Sequence, residues 1–467
     1  MTTRNMGPVD AIWLHMDSPE NLMVIDSLMV LDGSVDWDRV VGLLERELIE
    51  RYRPFAQRVT APRFRLGPPR WRDDPDFTLE RQLVRHRLPD GDDDTLQRYV
   101  ESQLVQPLPK DRPLWQAHLI DGYRHGAVLY SRIHHCMADG LALNQVMLSL
   151  TSATADGDLG TGEPAAGPAT DARRGEFLPS AASVGRAVTA PIRWARRIPD
   201  LFSLQTAYGG VQAVTAALRQ AERLGKITNK LFLADPPVGP LSGSPGVAKR
   251  AVWAEPFALA DVKRLGRHTG TTVNDVLMAT VAGALGTYVA GRDGRRRDLP
   301  TMVPVNVRPL DAPLPAELGN DFALVVVEYP SATEELLERI AQTHRRMEEI
   351  KNSAEVPIVF STIWAIGQTT KEIERLLVDF FSSKAIGVTT NVPGPRGSRY
   401  LAGTRIRGTL AWVPTAGDQT LGISVFTYDG TVWVGFKADQ RRVPDPEALV
   451  AAFDAEVKEM ARLAQAV

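Results

Sequence analysis

The residues best equipped for chemistry form one run, Arg132-Ile133-His134-His135-Cys136-Met137-Ala138-Asp139-Gly140. A neutral imidazole with a pKa near ~6.5 accepts a proton from an alcohol or an amine at neutral pH, so the histidine pair points to general-base catalysis. Adjacent residues on an extended backbone project to opposite faces. One histidine can therefore face a cavity while the other packs, and the two do not chelate one metal side by side. Asp139-Gly140 reads as a tight exit into a helix, with glycine permitting positive φ or a close backbone approach. No GxSxG nucleophile elbow occurs, which favours direct transfer to an acceptor over an acyl-enzyme. The plain alternative is a buried histidine pair before an Asp-Gly turn; an aspartate at this spacing tips the reading toward catalysis. Cys136 reads as a small buried thiol rather than a nucleophile.

Rigid elements must carry these side chains. Leu114–Asp121 and Ala127–Ile133 read as strands flanking a turn at Gly122–Gly126, and Leu141–Leu150 as a helix. The motif thus sits at a strand-to-helix junction, a usual place for reactive groups to meet a loop-lined pocket. Leu22–Leu31 reads as a strand, Trp37–Tyr52 and Asp94–Gln106 as amphipathic helices. Residues 152–175 have a linker composition. The following 176–235 are Ala-rich and helical in pattern, broken at Pro191 and Pro199. Beyond them Ala248–Pro256, Met302–Val307 and Phe322–Tyr329 suggest strands, and Val273–Val289 a long helix opened by the capping box Thr272-x-x-Asp275. Glu334–Lys351 and Pro446–Ala464 suggest further helices. Arg405–Trp412, Leu421–Thr427 and Val432–Lys437 suggest strands, the last two joined by a hairpin at Tyr428-Asp429-Gly430. Interleaved elements and a late hairpin give an α/β class with mixed sheets. The expected division is 1–151, a linker and basic helical connector over 152–247, and 248–467.

Composition removes several classes of function. The 467 residues carry 54 basic and 56 acidic side chains, a net charge of -2, against the basic balance of a phosphate-neutralising nucleic-acid protein. One cysteine excludes an intramolecular disulfide and a cysteine-built metal cage. The N-terminus lacks a signal-peptide core and no stretch of ~18 apolar residues occurs, so a spanning helix is not expected. The charge is uneven: 171–232 hold ten basic and four acidic residues, a local +6. With Trp194 and Phe202 set among Arg193, Arg196 and Arg197, the segment 176–235 reads either as an interfacial membrane helix or as a connector with a solvated Arg face. Arg295-Arg296-Arg297 reads as a solvated basic loop, the alternative being a contact for coenzyme A phosphates.

HHxxxDG resembles the signature of the condensation-type, coenzyme A-dependent acyltransferases. More fully, the chain resembles the bacterial wax ester synthase/diacylglycerol acyltransferase family. The resemblance is carried by Pro8-Val9-Asp10-Ala11-Ile12-Trp13, Pro113-Leu114-Trp115, Val273-Asn274-Asp275, Pro304-Val305-Asn306-Val307-Arg308-Pro309, Leu318-Gly319-Asn320 and Asn391-Val392-Pro393-Gly394-Pro395, in family order over nearly the full length.

The resemblance implies two chloramphenicol acetyltransferase-like subdomains with an active site in a tunnel between them. It implies long-chain acyl-CoA as a substrate, no cofactor or metal, and diacylglycerol or a fatty alcohol as acceptor. His135 maps to the general base and His134 to a supporting role. Asp139 is expected to pair with an arginine, for which Arg308 is the candidate, rather than to act in a triad. Asn274 is the expected polar group reaching His135 from the second half. Gly140, Asn306 and Asn391 are expected at the substrate, with Asn391–Pro395 a turn at the tunnel mouth and Trp115 structural. The missing signal-peptide core and spanning helix give an expected cytoplasmic location, and the family's lipid substrates add expected peripheral contact with the inner membrane or lipid droplets.

Overall fold

The structure is a computed structural model and describes residues 2–61, 67–157, 234–306, 314–353, 355–369 and 371–467. The first half runs β1 (Thr3–Asn5), α1 (Pro8–Met16), β2 (Val24–Leu31), α2 (Trp37–Leu44), β3 (Gln57–Thr60), β4 (Arg70–Asp73), β5 (Leu83–Arg87), α3 (Asp93–Leu104), β6 (Trp115–Tyr123), β7 (Gly126–His134) and α4 (Gly140–Ser149). The second runs β8 (Lys249–Trp253), β9 (Phe257–Ala258), α5 (Leu259–Thr269), α6 (Val273–Asp293), β10 (Leu299–Asn306), β11 (Phe322–Tyr329), α7 (Leu336–Lys351), α8 (Glu355–Ile366), α9 (Lys371–Ser382), β12 (Gly387–Pro393), β13 (Tyr400–Leu401), β14 (Thr404–Trp412), β15 (Leu421–Tyr428), β16 (Thr431–Asp439) and α10 (Pro446–Gln465). Most of the connector, including the Trp194–Phe202 pattern, and Arg308 lie outside the described residues.

Two mixed sheets dominate. One has the order β13-β14-β2-β7-β6-β5, the other β11-β10-β12-β15-β16-β8. β5–β6, β10–β12 and β12–β15 are parallel, and the other pairs in these orders antiparallel. Residues 400–412 therefore leave the half to which they belong in sequence and complete the first sheet through β14–β2 pairing. β14 also packs on β15 and β16, which welds the sheets. Gly408 makes that approach possible: a Cβ there would lie 2.0 Å from the Trp433 ring.

The burial pattern explains α6. It is long and apolar enough to cross a membrane, yet 78% of its apolar window is buried inside the protein. It packs on α7 and α10 as the central helix of the second core, so uniform apolarity here marks a helix surrounded by protein. One segment differs from expectation. The 391–395 block, expected as a turn, begins as strand, because Gly387–Pro393 pairs in parallel with β15 through residue 393. The hairpin at Tyr428-Asp429-Gly430 is present, with positive φ at Asp429 (45°) and Gly430 (75°) as a tight two-residue turn requires.

Candidate active site

A cavity of about 240 Å³ lies between the two sheets. Ile25, Ser27 and Met29 of β2 and Thr409 and Ala411 of β14 form one wall; alternate residues of β10, β11 and β12 form the other. The inward faces of α8 and α9, through Val359, Ile363 and Phe381, close a third side. Most of the lining is aliphatic or aromatic. His135, Asp139, Gly140, Asn306 and Asn391 line it; Asn274, His134 and Trp115 do not.

β7 delivers the histidines. Its last residue, His134, donates its backbone N–H to the Leu114 carbonyl (2.9 Å), and His135 donates to the Met23 carbonyl (2.7 Å). The side chains then diverge. His135 stacks on Trp13 of α1, ring centroids 4.1 Å apart at 18°, and touches Phe322 at 5.6 Å. Its Nδ1 meets Asn320 Oδ1 at 2.9 Å. The Asn320 amide nitrogen in turn donates to Asp10 Oδ1 (2.8 Å) and to the His135 carbonyl (2.8 Å). Both partners only accept when Asp10 is ionised, so the amide nitrogen must face them and the amide oxygen must face the imidazole. Nδ1 therefore carries the proton, and Nε2, with no partner among the described residues, keeps a lone pair. Burial pushes the His135 pKa down to about 4, so the ring is neutral at pH 7.

The polar group reaching His135 from the second half is Asn320, not Asn274. Asn274 sits in the first turn of α6 and accepts a hydrogen bond from Asn391 (3.0 Å). Its neighbour Asp275 closes the expected capping box with Thr272 and binds His344 at 2.8 Å. Neither Asn320 nor Asp10 was expected at the base. The available signal was their membership of the Leu318-Gly319-Asn320 and Pro8–Trp13 blocks.

Asp139 caps α4. One carboxylate oxygen accepts the Ala142 N–H (2.8 Å), and the other accepts the Asp321 N–H (3.1 Å). Its backbone N–H donates to the Gly319 carbonyl (3.3 Å). The motif aspartate thus clips the segment that carries Asn320 onto the start of α4. Gly140 is not a positive-φ turn residue; a Cβ there would meet nothing within 4 Å. Its missing side chain leaves open space in the cavity wall.

Trp115 is buried, donates to the Phe55 carbonyl (2.9 Å) and packs edge-on against Phe55. Cys136 is buried, and burial pushes its thiol pKa well above the usual value, against a nucleophilic role. Arg296 and Arg297 bind Thr287 and the Val238 carbonyl, away from the cavity. Among the described residues no group of three or more His, Cys, Asp and Glu could hold a metal.

A model of the wax ester synthase/diacylglycerol acyltransferase catalytic domain matches residues 6–277, more than half of the chain, and a model of the WS/DGAT C-terminal domain matches 318–461. The chain belongs to this family. It is an acyltransferase of the wax ester synthase/diacylglycerol acyltransferase type. A Mycobacterium tuberculosis relative described as a probable diacylglycerol O-acyltransferase, tgs1, is 26% identical over 91% of this chain and 88% of its own length. The wax ester synthase/diacylglycerol acyltransferase of Marinobacter aquaeolei VT8 has the same fold, with a TM-score of 0.66 and 20% identity over 99% of this chain and 100% of its own. The first condensation domain of the CDA synthetase shares it at a TM-score of 0.58 and 15% identity, over 99% of this chain and 96% of its own. The expected two-subdomain, mixed-sheet architecture is thus the fold of this acyltransferase.

Proposed function

We propose that this acyltransferase moves the acyl group of a long-chain acyl-CoA directly to the hydroxyl of diacylglycerol or a fatty alcohol, with His135 as general base. The observation that carries the reading is the His135–Asn320 hydrogen bond. It leaves the Nε2 lone pair of a neutral imidazole at an apolar cavity, where a lipid hydroxyl can be deprotonated. The acceptor proton moves to Nε2 as the oxygen attacks the thioester carbonyl. The tetrahedral oxyanion collapses, the C–S bond breaks, and the imidazolium returns its proton to the thiolate. Asn306 and Asn391 in the wall are the amides assigned to the substrate in this reading. Stabilising an oxyanion is worth ~10²–10³ in rate for one well-placed donor.

The apolar wall suits acyl chains, and the names of the mycobacterial and Marinobacter relatives support the two acceptor classes. His134 and Asp139 act on His135 from behind, through the backbone. Peripheral contact with the inner membrane or a lipid inclusion is proposed on the apolar and cationic pattern of 176–235 alone. A free-thiol assay with palmitoyl-CoA plus diacylglycerol, hexadecanol or neither tests the reaction. Acceptor-dependent thiol release that disappears in His135→Ala is expected. Release independent of any acceptor, or none at all, would sink the proposal.

A further inference from the structure

We infer that Asp10 is a positioning residue for the base: through the Asn320 amide it dictates which nitrogen of His135 carries the proton. Asp10 lies in the first turn of α1 and contacts neither the imidazole nor the cavity. Its Oδ1 accepts two hydrogen bonds from one residue, the Asn320 backbone N–H (3.0 Å) and the Asn320 side-chain N–H (2.8 Å). The second side-chain hydrogen goes to the His135 carbonyl (2.8 Å). Rotating the amide by half a turn would set its oxygen against a carboxylate and a carbonyl, two repulsive contacts in place of two hydrogen bonds. Only one orientation survives, and it presents an acceptor to Nδ1.

Space for the carboxylate is built in. A Cβ on Gly7 would sit 2.8 Å from Asp10 Oδ2, and one on Gly319 within 3.8 Å of both carboxylate oxygens. Gly319 holds φ at +136°, a backbone state that suits glycine. The charged groups around Asp10 are Arg4, which favours its anion, and Asp321, which opposes it. Burial raises its pKa to about 6, which leaves it ionised at neutral pH. Around His135 stand Asn320, Trp13, Phe322 and His134, none of them an anion. The one carboxylate in this chain of bonds is thus separated from the base by an amide. When Nε2 gains a proton, the amide dipole is already aligned between imidazolium and carboxylate, and no proton has to cross it.

The inference rests on His135 as base for its kinetic consequence, but not for its structural one. Nitrogen-15 NMR of histidine-labelled protein reads the tautomer without turnover. The wild type is expected to show His135 protonated at Nδ1. Asp10→Asn is expected to show mixed tautomers, with kcat lowered about 10–100-fold, the range found when a group that orients a functional histidine is removed, and KM for acyl-CoA unchanged. The swap Asp10→Asn with Asn320→Asp keeps one carboxylate and one amide but sets the carboxylate against the ring. It is expected to restore the Nδ1–H tautomer and to raise the pKa of the His135 ring, read by the same NMR titration, above its wild-type value of about 4. A folded Asp10→Asn protein with the wild-type tautomer and kcat would overturn the inference. If Asp10→Asn does not fold, a folded swap whose His135 ring titrates as in the wild type does the same. Transfer surviving in His135→Ala would defeat the base assignment alone and leave the tautomer result standing.

Discussion

His134 and His135 are neighbours in sequence, both buried, and built as opposites. His134 Nδ1 accepts the Cys136 backbone N–H (3.2 Å), so its proton sits on Nε2, which points to Asp17 Oδ1 at 3.7 Å. His135 carries its proton on Nδ1, turned to an uncharged amide. The carboxylate beside His134 is tied in place: Asp17 also accepts the Met23 N–H (3.1 Å) and lies 3.4 Å from Lys110. Burial alone would raise the Asp17 pKa, but His134, the Met23 N–H and Lys110 outweigh it and hold the pKa below the usual value. Among the described residues the supporting histidine has a carboxylate as its ion-pair partner, whereas the ring of the base hydrogen-bonds an amide. An adjacent carboxylate would raise the basicity of His135 and invite protonation in the resting enzyme; the amide orients the ring and leaves it neutral.

The widest separation between the two should come from replacing each ring. His135→Ala is expected to lower acceptor-dependent thiol release about 10²–10⁴-fold, the usual worth of a general base, with a melting temperature near the wild type. His134→Ala is expected to act mainly on stability. Equal rate losses in the two variants would erase the distinction between base and support.

Asp139 comes next, because it holds both the start of α4 and the segment bearing Asn320. Asp139→Ala removes an N-cap, a loss of about 0.5–2 kcal/mol, and deletes the hydrogen bond from the half-buried Asp321 N–H, worth about 0.5–1.5 kcal/mol more. Soluble yield, melting temperature and activity should therefore fall together. A variant of wild-type melting temperature that is nonetheless inactive would argue for direct participation of the carboxylate in chemistry.

Much of this half of the site was legible in sequence. The run of strand formers in Ala127–Ile133 marks a strand, Asp139-Gly140 marks the entry to a helix, and the histidines must then part to opposite faces. The other half was less so. Asn320 stands 185 positions from His135, and the hydrogen bond between them is created by the approach of two sheets, which no local periodicity encodes. Asn274 attracted the expectation because a helix start is visible in sequence; the turn at Leu318-Gly319, with φ of 51° and 136°, is not. The same holds for β14. Its pattern reads as a strand, but its place beside β2 depends on pairing chosen in three dimensions. The prolines of 393–395 read as a turn where the strand ends.

Acid titration sharpens the comparison more gently. The ordinary pKa of the ring is 6.5 and that of folded His135 about 4. As pH falls across this window, the unfolded chain takes up a proton that the folded chain refuses, so this site's contribution to stability declines. His135→Gln removes that contribution, and its stability should fall less steeply with pH than the wild type's. Asp10 works in the opposite sense, since its folded pKa is raised to about 6 and the folded chain gains its proton first. Subtracting the two curves isolates the histidine. A pair of parallel curves between pH 6.5 and 4 would mean that the folded imidazole is not held neutral.

The smallest effect should come from the second amide, Asn274. Its oxygen accepts from Asn391, its buried nitrogen has no hydrogen-bond partner among the described residues, and it does not line the cavity. Removing it deletes one neutral hydrogen bond, worth about 0.5–1.5 kcal/mol, and relieves an unsatisfied donor at the same time. Asn274→Ala should therefore shift the melting temperature slightly and leave the shape of the rate profile intact, whereas Asn320→Ala frees the His135 ring to change tautomer. A rate loss in Asn274→Ala as large as in Asn320→Ala would show that the start of α6 reaches the reacting atoms during turnover. Asn320, which serves the base, and Asn274, which holds the wall residue Asn391, would then no longer differ in role.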